Sequence, residues 1–378
     1  MDNNNTLGLI FSENPEVNLG ELTASRSLAA VPVGGRYRII DFMLSDMVNS
    51  GIINVGITTG YRHRSLNDHL GSGKDWDMAR KENGLFILPP SENSESNARV
   101  SGDIDYIESA SSYLRRSRQE YVLISGCNTV CNINFADAME FHSEKEADIT
   151  LIYASVDKLS SKELGRHVML DADEDGRITD IQIYPKRQKT NLSYMHMLLI
   201  KKDLLMDLVG DCLAHDEHSI AKDILLANLK KLKIFGYHFT GYRKKIDSIK
   251  SFFEFNIELL SPEVRHELFG AGEEERSIYT KVKDSVPTKY GRSAEVRNSF
   301  IADGCSIDGD VENCIIFRGV KVGKGSKLKN AIIMQDSQIM DNCTVENAIF
   351  DKEVILRENK KMIGQATYPL VIGKRTIV

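Results

Sequence analysis

The sequence predicts an α/β domain with a Rossmann-like, mostly parallel sheet, followed by a parallel β-helix. Three observations support this prediction. Short apolar runs that end at turns alternate with amphipathic segments over the first two thirds of the chain, a motif repeats near the C-terminus, and a stretch punctuated by proline and glycine separates the two. We therefore divide the 378 residues into a domain at 1–261, a linker at 262–292 and a β-helix with a C-terminal tail at 293–378.

The composition is that of an ordinary globular protein. The chain is 42% hydrophobic and 27% charged, with a formal net charge of −6 and a calculated pI of about 5.9. This balance predicts no bulk attraction to nucleic acid or to an anionic membrane. No apolar run approaches the roughly 18 residues of a membrane span, and the first residues lack the pattern of an export signal. We expect a cytoplasmic protein without a nucleic-acid or membrane partner.

The order of the first elements predicts the parallel sheet. Residues 7–11 form a short apolar strand, residues 42–51 an amphipathic helix, and residues 53–57 a second strand, which makes a βαβ unit. The run Tyr121–Ile124 is stopped by Ser125 and Gly126 and predicts a buried central strand. Further strands are predicted at 85–90, 147–154, 167–171, 178–183, 195–200 and 235–239, helices at 104–118, 135–145, 202–209, 220–229 and 249–259, and a polar loop at 91–97.

The loop after the first strand does not have the composition of a phosphate cradle. Such a loop needs glycines, so that backbone N–H groups approach the anion, and usually a nearby cation. Residues 12–21 contain a single glycine, Gly20, and the three acidic residues Glu13, Glu16 and Glu21. We expect this loop to repel a triphosphate.

The turn after the central strand is where a nucleotide-handling enzyme would place a carboxylate for Mg²⁺. Here the turn carries Cys127 and Asn128. A thiol is a soft ligand and replaces a magnesium carboxylate poorly. Cys127 is either a redox-sensitive thiol or an inert buried one, and burial is the favoured interpretation. The other five cysteines show no zinc-site spacing, so we expect all six to be reduced.

The C-terminal region contains an internal repeat. Asparagines at 298, 313, 330 and 347 each lie in the same local pattern, at steps of 15, 17 and 17 residues. Aliphatic residues recur between them at intervals of five and six, which is typical of a three-sided parallel β-helix. Cys305 would stack under Val322, Ile339 and Leu356 in its core. The open ends of such a ladder need a cap or a partner.

Several motifs resemble one known family. They are Val31–Phe42 (VPVGGRYRIIDF), Asn49–Gly51, His69–Gly73 (HLGSG), Asp75–Asp77 and the hexapeptide-type β-helix. Together they resemble bacterial ADP-glucose pyrophosphorylase, also called glucose-1-phosphate adenylyltransferase, over essentially the whole chain. The resemblance implies a nucleotidyltransferase domain, a left-handed β-helix and a tetramer.

The departures from the family pattern are concentrated in its chemistry. Its glycine-rich loop is replaced by Phe11–Asn14, and the lysine of its KPAVP segment falls on Leu28. The metal-binding aspartate falls on Cys127, the lysine that binds the sugar phosphate on Tyr184, and the second metal-binding aspartate on Lys245. Phosphoryl transfer relies on positioning and on charge neutralisation by Mg²⁺, so these losses remove most of the catalytic machinery.

The resemblance therefore implies a noncatalytic, regulatory subunit of the two-gene enzyme found in some Gram-positive bacteria, the D-type glycogen biosynthesis subunit. Such a subunit has no catalytic or metal-binding residues and no cofactor of its own. The Mg²⁺ is held by a catalytic homologue with which it forms a heterotetramer, and it alters the activity and effector response of that partner.

Five cationic residues are candidates for binding a small phosphorylated effector. Arg26 and Arg38 match positions at which the family places such regulators between its two domains, and Arg36 lies beside them. Lys374 and Arg375 are candidates to complete the site. Paired arginines suit phosphate, but a solvated or salt-bridged surface is an equal alternative for the arginines, and a charged tail is favoured for the C-terminal pair.

Lys245 also has two interpretations. Its ammonium is either a replacement for the lost metal charge or a surface lysine, and the run Arg243–Lys245 favours the surface. For the whole protein, one rival hypothesis is a working sugar-phosphate nucleotidyltransferase that uses non-standard residues. Another is an acyltransferase, as some β-helix proteins are, although residues 293–351 lack the histidine that such enzymes use.

Overall fold

The computed structural model describes residues 5–89, 102–270 and 276–378. The polar loop predicted at 91–97 and the last residue of the strand predicted at 85–90 lie outside these ranges, as do residues 271–275 of the predicted linker. The strands of the first domain are β1 (Thr6–Phe11), β2 (Pro32–Val33), β3 (Tyr37–Arg38), β4 (Asn54–Thr58), β5 (Gly84–Leu88), β6 (Tyr121–Gly126), β7 (Thr129–Cys131), β8 (Ile149–Ser155), β9 (Val168–Ala172), β10 (Ile178–Ile183), β11 (Leu192–Lys201), β12 (Ile234–His238) and β13 (Arg243–Lys245).

Helices cover both faces of the central sheet, while β2 pairs with β3 and β7 with β13 in two small separate sheets. The helices are α1 (Ile39–Asn49), α2 (Arg64–Leu70), α3 (Asp103–Ser109), α4 (Ser111–Arg116), α5 (Phe135–Glu144), α6 (Ser161–Leu164), α7 (Lys202–Ala214), a π-helix (Ile220–Leu226), α8 (Ile249–Glu258) and α9 (Pro262–Phe269). Short 3-10 turns occupy Gly20–Thr23, Leu28–Ala30 and Lys74–Trp76. None of the helices in the described ranges is long and apolar enough to cross a membrane.

The central sheet has the strand order β10-β9-β11-β6-β1-β4-β5, with β8 paired to β11 and β12 paired to β8. Strands β5, β4, β1 and β6 are parallel, and β11 is antiparallel to β6. The predicted central strand is therefore confirmed as β6, which lies beside β1 with Phe11 opposite Gly126. Since both strands end at the same edge of the sheet, the loops that follow them meet there.

Helix α1 illustrates how local chemistry fixes the first βαβ unit. The carboxylate of Asp41 accepts a hydrogen bond from the backbone N–H of Arg38 at 2.9 Å, which caps the first turn. Phe42, Met43 and Met47 are fully buried, as the amphipathic pattern predicts. The helix ends before Gly51, whose φ of 79° is accessible to glycine at little cost.

Two predicted helices differ from the structure. The helix predicted at 104–118 is interrupted at Ala110, where serines flank the break and the Ser109 hydroxyl donates to the Tyr106 carbonyl. The segment predicted as a helix at 220–229 is a π-helix whose N-cap, Ser219, accepts from the Lys222 N–H. π-Helical turns are rare and often occur at functional sites.

The predicted linker also begins with a helix, α9. Ser261 caps it by accepting from the Val264 N–H, and Pro262 occupies its first turn. Proline is favoured at that position because its missing N–H has no partner there in any case. The predicted linker at 262–292 therefore contains a helix at Pro262–Phe269. The domain boundaries at 261 and 292 remain predictions.

The β-helix is confirmed. Its strands are β14 (Lys289–Tyr290), β15 (Glu295–Arg297), β16 (Phe300–Ile301), β17 (Ser306–Ile307), β18 (Asp310–Glu312), β19 (Ile315–Ile316), β20 (Lys321–Val322), β21 (Lys327–Ile333), β22 (Gln338–Ile339), β23 (Thr344–Phe350), β24 (Ile355–Leu356), β25 (Lys361–Ile363) and β26 (Leu370–Ile372). They stack in parallel, for example Val311 on Leu328 on Val345. The cysteines at 305, 314 and 343 are buried in this core, and all six cysteines are free.

The repeated asparagines mark one corner of the β-helix. All four adopt positive φ, between 41° and 52°. Asparagine tolerates this left-handed conformation better than most residues. The side-chain amide of Asn298 donates to the Asn313 carbonyl oxygen at 2.7 Å, so the corners are also joined between coils. The repeat is thus explained by the sharp turn that each coil makes.

The β-helix packs directly against the first domain. Phe252 and Phe255 of α8 belong to the same buried cluster as Ile315, Phe317 and Ile332 of the β-helix. The two units therefore share one apolar core, and groups at their junction are held in fixed positions.

Candidate functional site

A cavity of about 370 Å³ lies at the edge of the sheet where β1 and β6 end. Phe11 and Gly126 line it from these two strands, Tyr194 from β11, and Ile220 from the π-helix. This is the place at which an open α/β sheet binds its ligand. The cavity lies at the sheet edge where the sequence predicts a ligand site, but Cys127 and Lys245 are not among its lining residues.

The acidic loop after β1 folds into this cavity. Glu13 and Glu16 line it, and the Glu16 carboxylate accepts a short hydrogen bond from the hydroxyl of Tyr184. Burial raises the pKa of Glu13, although Arg62 opposes the shift. Burial and Glu16 both raise the pKa of Tyr184. The loop thus presents carboxylates where a phosphate cradle would present N–H groups, and Tyr184 holds it there.

The residues at the two metal positions do not fit Mg²⁺. Cys127 is 1% exposed, so the thiol is buried, and burial raises its pKa. Within the described residues, no group of three or more His, Cys, Asp or Glu side chains is arranged to hold a metal ion. Mg²⁺ prefers oxygen ligands in octahedral geometry, and this turn offers none from Cys127.

Lys245 is not the surface lysine that its sequence context favours. Strand β13 pairs with β7, which sets Lys245 opposite Thr129, two residues after Cys127. The half-buried ammonium donates to the Arg166 carbonyl at 2.5 Å. Burial lowers its pKa to about 8, against the opposing effects of Asp247 and Glu16. Lys245 therefore places a positive charge at the second of the two metal positions implied by the family resemblance, near the first at Cys127.

The two positions at which the family has lysines carry no cation here. Leu28 is 4% exposed and belongs to the main apolar core. Its 3-10 turn is tied to the acidic loop through the Ala29 N–H, which donates to the Ser12 carbonyl. Tyr184 offers a hydroxyl that is already engaged by Glu16. Neither position supplies the charge that would bind a phosphate.

Arg26 lies at the junction of the two domains, not on the surface. Its guanidinium forms a bidentate pair with Asp351 of the β-helix at 2.8–2.9 Å, and the two side chains are 3% and 0% exposed. Arg26 is therefore salt-bridged, but in the interior and not on a surface as the alternative had it. Sequence reasoning could not find the pair, because its members are 325 residues apart.

Arg38 lies beside this pair. It donates to the carbonyl and hydroxyl of Ser65 at 2.7 and 2.8 Å. Burial lowers the pKa of Arg38 to about 10, an effect that Asp41 opposes and Arg26 reinforces. Lys352, which sequence analysis missed, has a pKa lowered to about 7 by burial and by Arg38 and Arg26. Lys352 directly follows Asp351, whose carboxylate accepts a hydrogen bond from the Lys352 backbone N–H at 2.7 Å.

The remaining candidates are more exposed. Arg36 lies with its guanidinium carbon 5.6 Å from the centre of the Tyr37 ring. Lys374 and Arg375 both contact the Glu353 carboxylate, at 3.6 and 2.7 Å. Lys374 also contributes to the lowered pKa of Lys352 and so belongs to the cationic group, whereas Arg375 is 69% exposed. Arg26 and the Lys352 backbone contact Asp351 directly, whereas Arg38 contacts Ser65 and Lys374 contacts Glu353.

Comparison with protein families agrees with this architecture. Residues 18–260 match the family described as nucleotidyl transferase, and residues 283–367 match the GlmU-like C-terminal hexapeptide family. The first match covers well over half of the chain. The chain therefore belongs to the nucleotidyl transferase family, and its hexapeptide match is typical of the left-handed β-helix.

The similar individual proteins are more specific. The chain is 39% identical to the glycogen biosynthesis protein GlgD of Bacillus subtilis (strain 168) over 376 residues, which is 99% of this chain and 97% of the relative. It is also 39% identical to the GlgD protein of Geobacillus stearothermophilus, over 86% of this chain and 83% of that relative. It is 31% identical to a glucose-1-phosphate adenylyltransferase of Acetivibrio thermocellus, over 95% and 84% of the two chains. The resemblance to the ADP-glucose pyrophosphorylase family is thereby confirmed.

Proposed function

We propose that this chain is a regulatory, catalytically deficient subunit of glucose-1-phosphate adenylyltransferase in glycogen biosynthesis. It acts in the cytoplasm through a catalytic homologue that makes ADP-glucose from ATP and glucose 1-phosphate. The names of its relatives support the pathway. The catalytic deficiency is supported by the residues that replace the family's metal-binding aspartates and its lysines.

One observation carries the proposal. At the two positions where the family has metal-binding carboxylates, this chain has the buried thiol of Cys127 and the half-buried ammonium of Lys245. A divalent cation placed there would find no carboxylate oxygen at either position and would be repelled by the Lys245 ammonium. No cofactor is therefore expected in this chain, and the partner holds the Mg²⁺.

The acidic loop adds a second obstacle. The carboxylates of Glu13 and Glu16 line the cavity into which a triphosphate would have to enter. In a half-buried site, repulsion between like charges is screened less than in water. Restoring one metal ligand would leave this repulsion in place.

The junction of the domains is the proposed effector site. Arg38, Lys352 and Lys374 carry positive charge around a single buried pair, Arg26 with Asp351. Burial, followed by the charges of Arg38 and Arg26, lowers the pKa of Lys352, and a bound phosphate group would favour the charged form of this lysine. We expect a small phosphorylated effector to bind here, with Arg26 positioning Asp351 and its neighbours, and Arg36 and Arg375 at the periphery.

Assembly with a catalytic homologue tests the proposal. The chain is co-purified with such a homologue, and the mass of the complex, its rate and its response to phosphorylated sugars are compared with those of the homologue alone. We expect a hetero-oligomer, as in the tetramers implied by the family, with an altered effector response. Failure to co-assemble, together with no change in rate, would reject the proposal. An active transferase that uses non-standard residues would instead turn over alone.

A further inference from the structure

A second cavity, of about 570 Å³, lies between α4 and the edge strand β5. Its lining includes Asn54, which begins β4, and Asn83, which directly precedes β5. Because β4 is parallel to β1, these residues lie at the opposite edge of the sheet from the cavity at the ends of β1 and β6. The two cavities are therefore separate, and none of the candidate site residues lines the second one.

One wall of this second cavity is a chain of hydrogen-bonded polar side chains. The Tyr113 hydroxyl donates to the Asn54 side-chain oxygen at 2.8 Å, and the Asn54 amide donates to the Gln119 side-chain oxygen at 3.0 Å. Asn54 and Gln119 are 4% and 6% exposed, and burial raises the pKa of Tyr113, so its hydroxyl keeps the proton that it donates. These contacts fix the shape of the wall.

Apolar side chains form another part of the lining. Phe86 and Leu88 both line the cavity, and they share a face of β5 because they are two residues apart in a strand. The Phe86 and Tyr113 rings lie 5.2 Å apart at 44°. Phe86 is nevertheless 42% exposed. A flat apolar group that packed on these two rings would remove Phe86 from water, which is favourable.

Two arginines give the lining its positive charge. Arg116 ends α4, Arg118 follows two residues later, and both are exposed and line the cavity. Within the described ranges, neither guanidinium has a hydrogen bond or an ion pair, whereas the exposed Arg80 and Arg375 are paired with carboxylates. Glu82 is the one carboxylate that lines the cavity in the described part of the chain. The lining is therefore positive in a protein whose formal net charge is −6.

Rings beside two unpaired guanidinium groups match a ligand that has a flat apolar ring and a single negative charge. We propose that this cavity binds a small aromatic carboxylate. The ligand ring packs on Phe86 and Tyr113, and its carboxylate accepts hydrogen bonds from Arg116 and Arg118, whose planar guanidinium groups fit carboxylate oxygens. An ammonium ligand would be repelled by the arginines. The volume lies within the roughly 300–1,000 Å³ of small-molecule sites.

The proposed site does not depend on the proposed function. It shares no residue with the cavity at the ends of β1 and β6 or with the junction of the two domains. The binding experiment needs neither nucleotide nor a catalytic homologue, so its failure would leave the co-assembly result untouched.

Calorimetry on the purified full chain tests the proposal. Indole-3-acetate is titrated at constant ionic strength, and indole-3-acetamide, which has the same ring and the same number of heavy atoms but no charge, serves as the matched neutral probe. Acetate and inorganic phosphate are the anions without a ring. We expect saturable binding of one indole-3-acetate per chain, weaker binding of the amide by about fivefold or more, and no saturable binding of acetate or phosphate.

Substitutions at the mouth of the cavity test the charges. Arg116→Gln and Arg118→Gln each remove one positive charge and should each weaken the binding of indole-3-acetate by about fivefold, the upper range for an exposed charge pair. Glu82→Gln removes the lining carboxylate and should tighten binding, because it removes a repulsion. Arg292→Gln changes an exposed arginine that does not line the cavity and should leave the affinity unchanged.

Four results would overturn the proposal. They are the absence of saturable binding of indole-3-acetate, equal binding of the amide, equal binding of acetate or phosphate, and a loss in Arg292→Gln as large as that in the two mouth variants. Unchanged affinity in both Arg116→Gln and Arg118→Gln would place the ligand elsewhere and would contradict the proposal as well. Since both arginines are exposed, the variants should fold, and circular dichroism of each variant checks this.

Discussion

Replacing Asp351 by alanine should destabilise the junction between the two domains. The substitution leaves the Arg26 guanidinium, which is 3% exposed, without the carboxylate that accepts its hydrogen bonds at 2.8–2.9 Å. Removing one partner of a buried ion pair typically costs about 3–5 kcal/mol, because an uncompensated charge stays buried. We expect a loss of this size in the free energy of unfolding, measured by urea denaturation followed by circular dichroism.

A double substitution distinguishes the loss of the ion pair from the cost of leaving one buried charge without a partner. Arg26→Met with Asp351→Leu removes both charges and should recover most of the lost stability, since apolar replacements of a buried pair are often neutral. The exposed pair Arg375 and Glu353 provides a matched control, and Glu353→Ala should cost less than about 1 kcal/mol. The reasoning is refuted if Asp351→Ala costs no more than Glu353→Ala, or if the double substitution is as damaging as the single one.

Three further predictions concern the pocket and its surroundings. Cys127→Asp alone should not restore magnesium-dependent release of pyrophosphate from ATP and glucose 1-phosphate, because the Lys245 ammonium and the acidic loop remain. Tyr184→Phe removes the donor to Glu16, and amide hydrogen exchange over residues 12–21 should become faster. Lys352→Met should flatten the rise in stability between pH 7 and 10. In the folded wild-type protein the pKa of Lys352 is lowered to about 7, so between pH 7 and 10 the unfolded chain binds more protons than the folded one. Stability therefore rises with pH over this range, and the substitution removes that contribution.

Each of these predictions has a control and a contrary outcome. Robust turnover by the Cys127→Asp chain would contradict the first. For the second, the control is Tyr290→Phe, which changes an exposed tyrosine and should leave amide exchange at 12–21 unaltered. Equal exchange rates in Tyr184→Phe and wild type would count against the hydrogen bond between Tyr184 and Glu16. For the third, the control is Lys360→Met, which changes an exposed lysine and should leave the pH dependence of stability unaltered. An unchanged pH dependence in Lys352→Met would contradict a lowered pKa of Lys352. The groups that face Lys352 are Arg26, Arg38, Asp351 and Lys374.

Local sequence patterns predicted most of the fold. Apolar runs predicted β1, β4 and β6, the amphipathic pattern predicted α1, and the asparagine repeat predicted the β-helix. These features follow from interactions between residues that are close in sequence or repeat at a fixed interval. The acidic loop at 12–21 and the buried thiol of Cys127 were predicted from residue chemistry alone.

Features that depend on distant contacts were not predicted. Lys245 stands in a run of three cations, and only the pairing of β13 with β7 turns it inward. Arg26 acquires its role from Asp351, far along the chain. The π-helix at Ile220–Leu226 and the left-handed φ of His196 have no simple sequence signal.

The most direct test of the central claim is the rate of magnesium-dependent pyrophosphate release from ATP and glucose 1-phosphate. It is measured for the purified chain alone and again with a catalytic homologue present. We predict no rate above background for the chain alone and a changed effector response in the mixture. Turnover by the chain alone at the rate of an ordinary catalytic subunit would contradict the account.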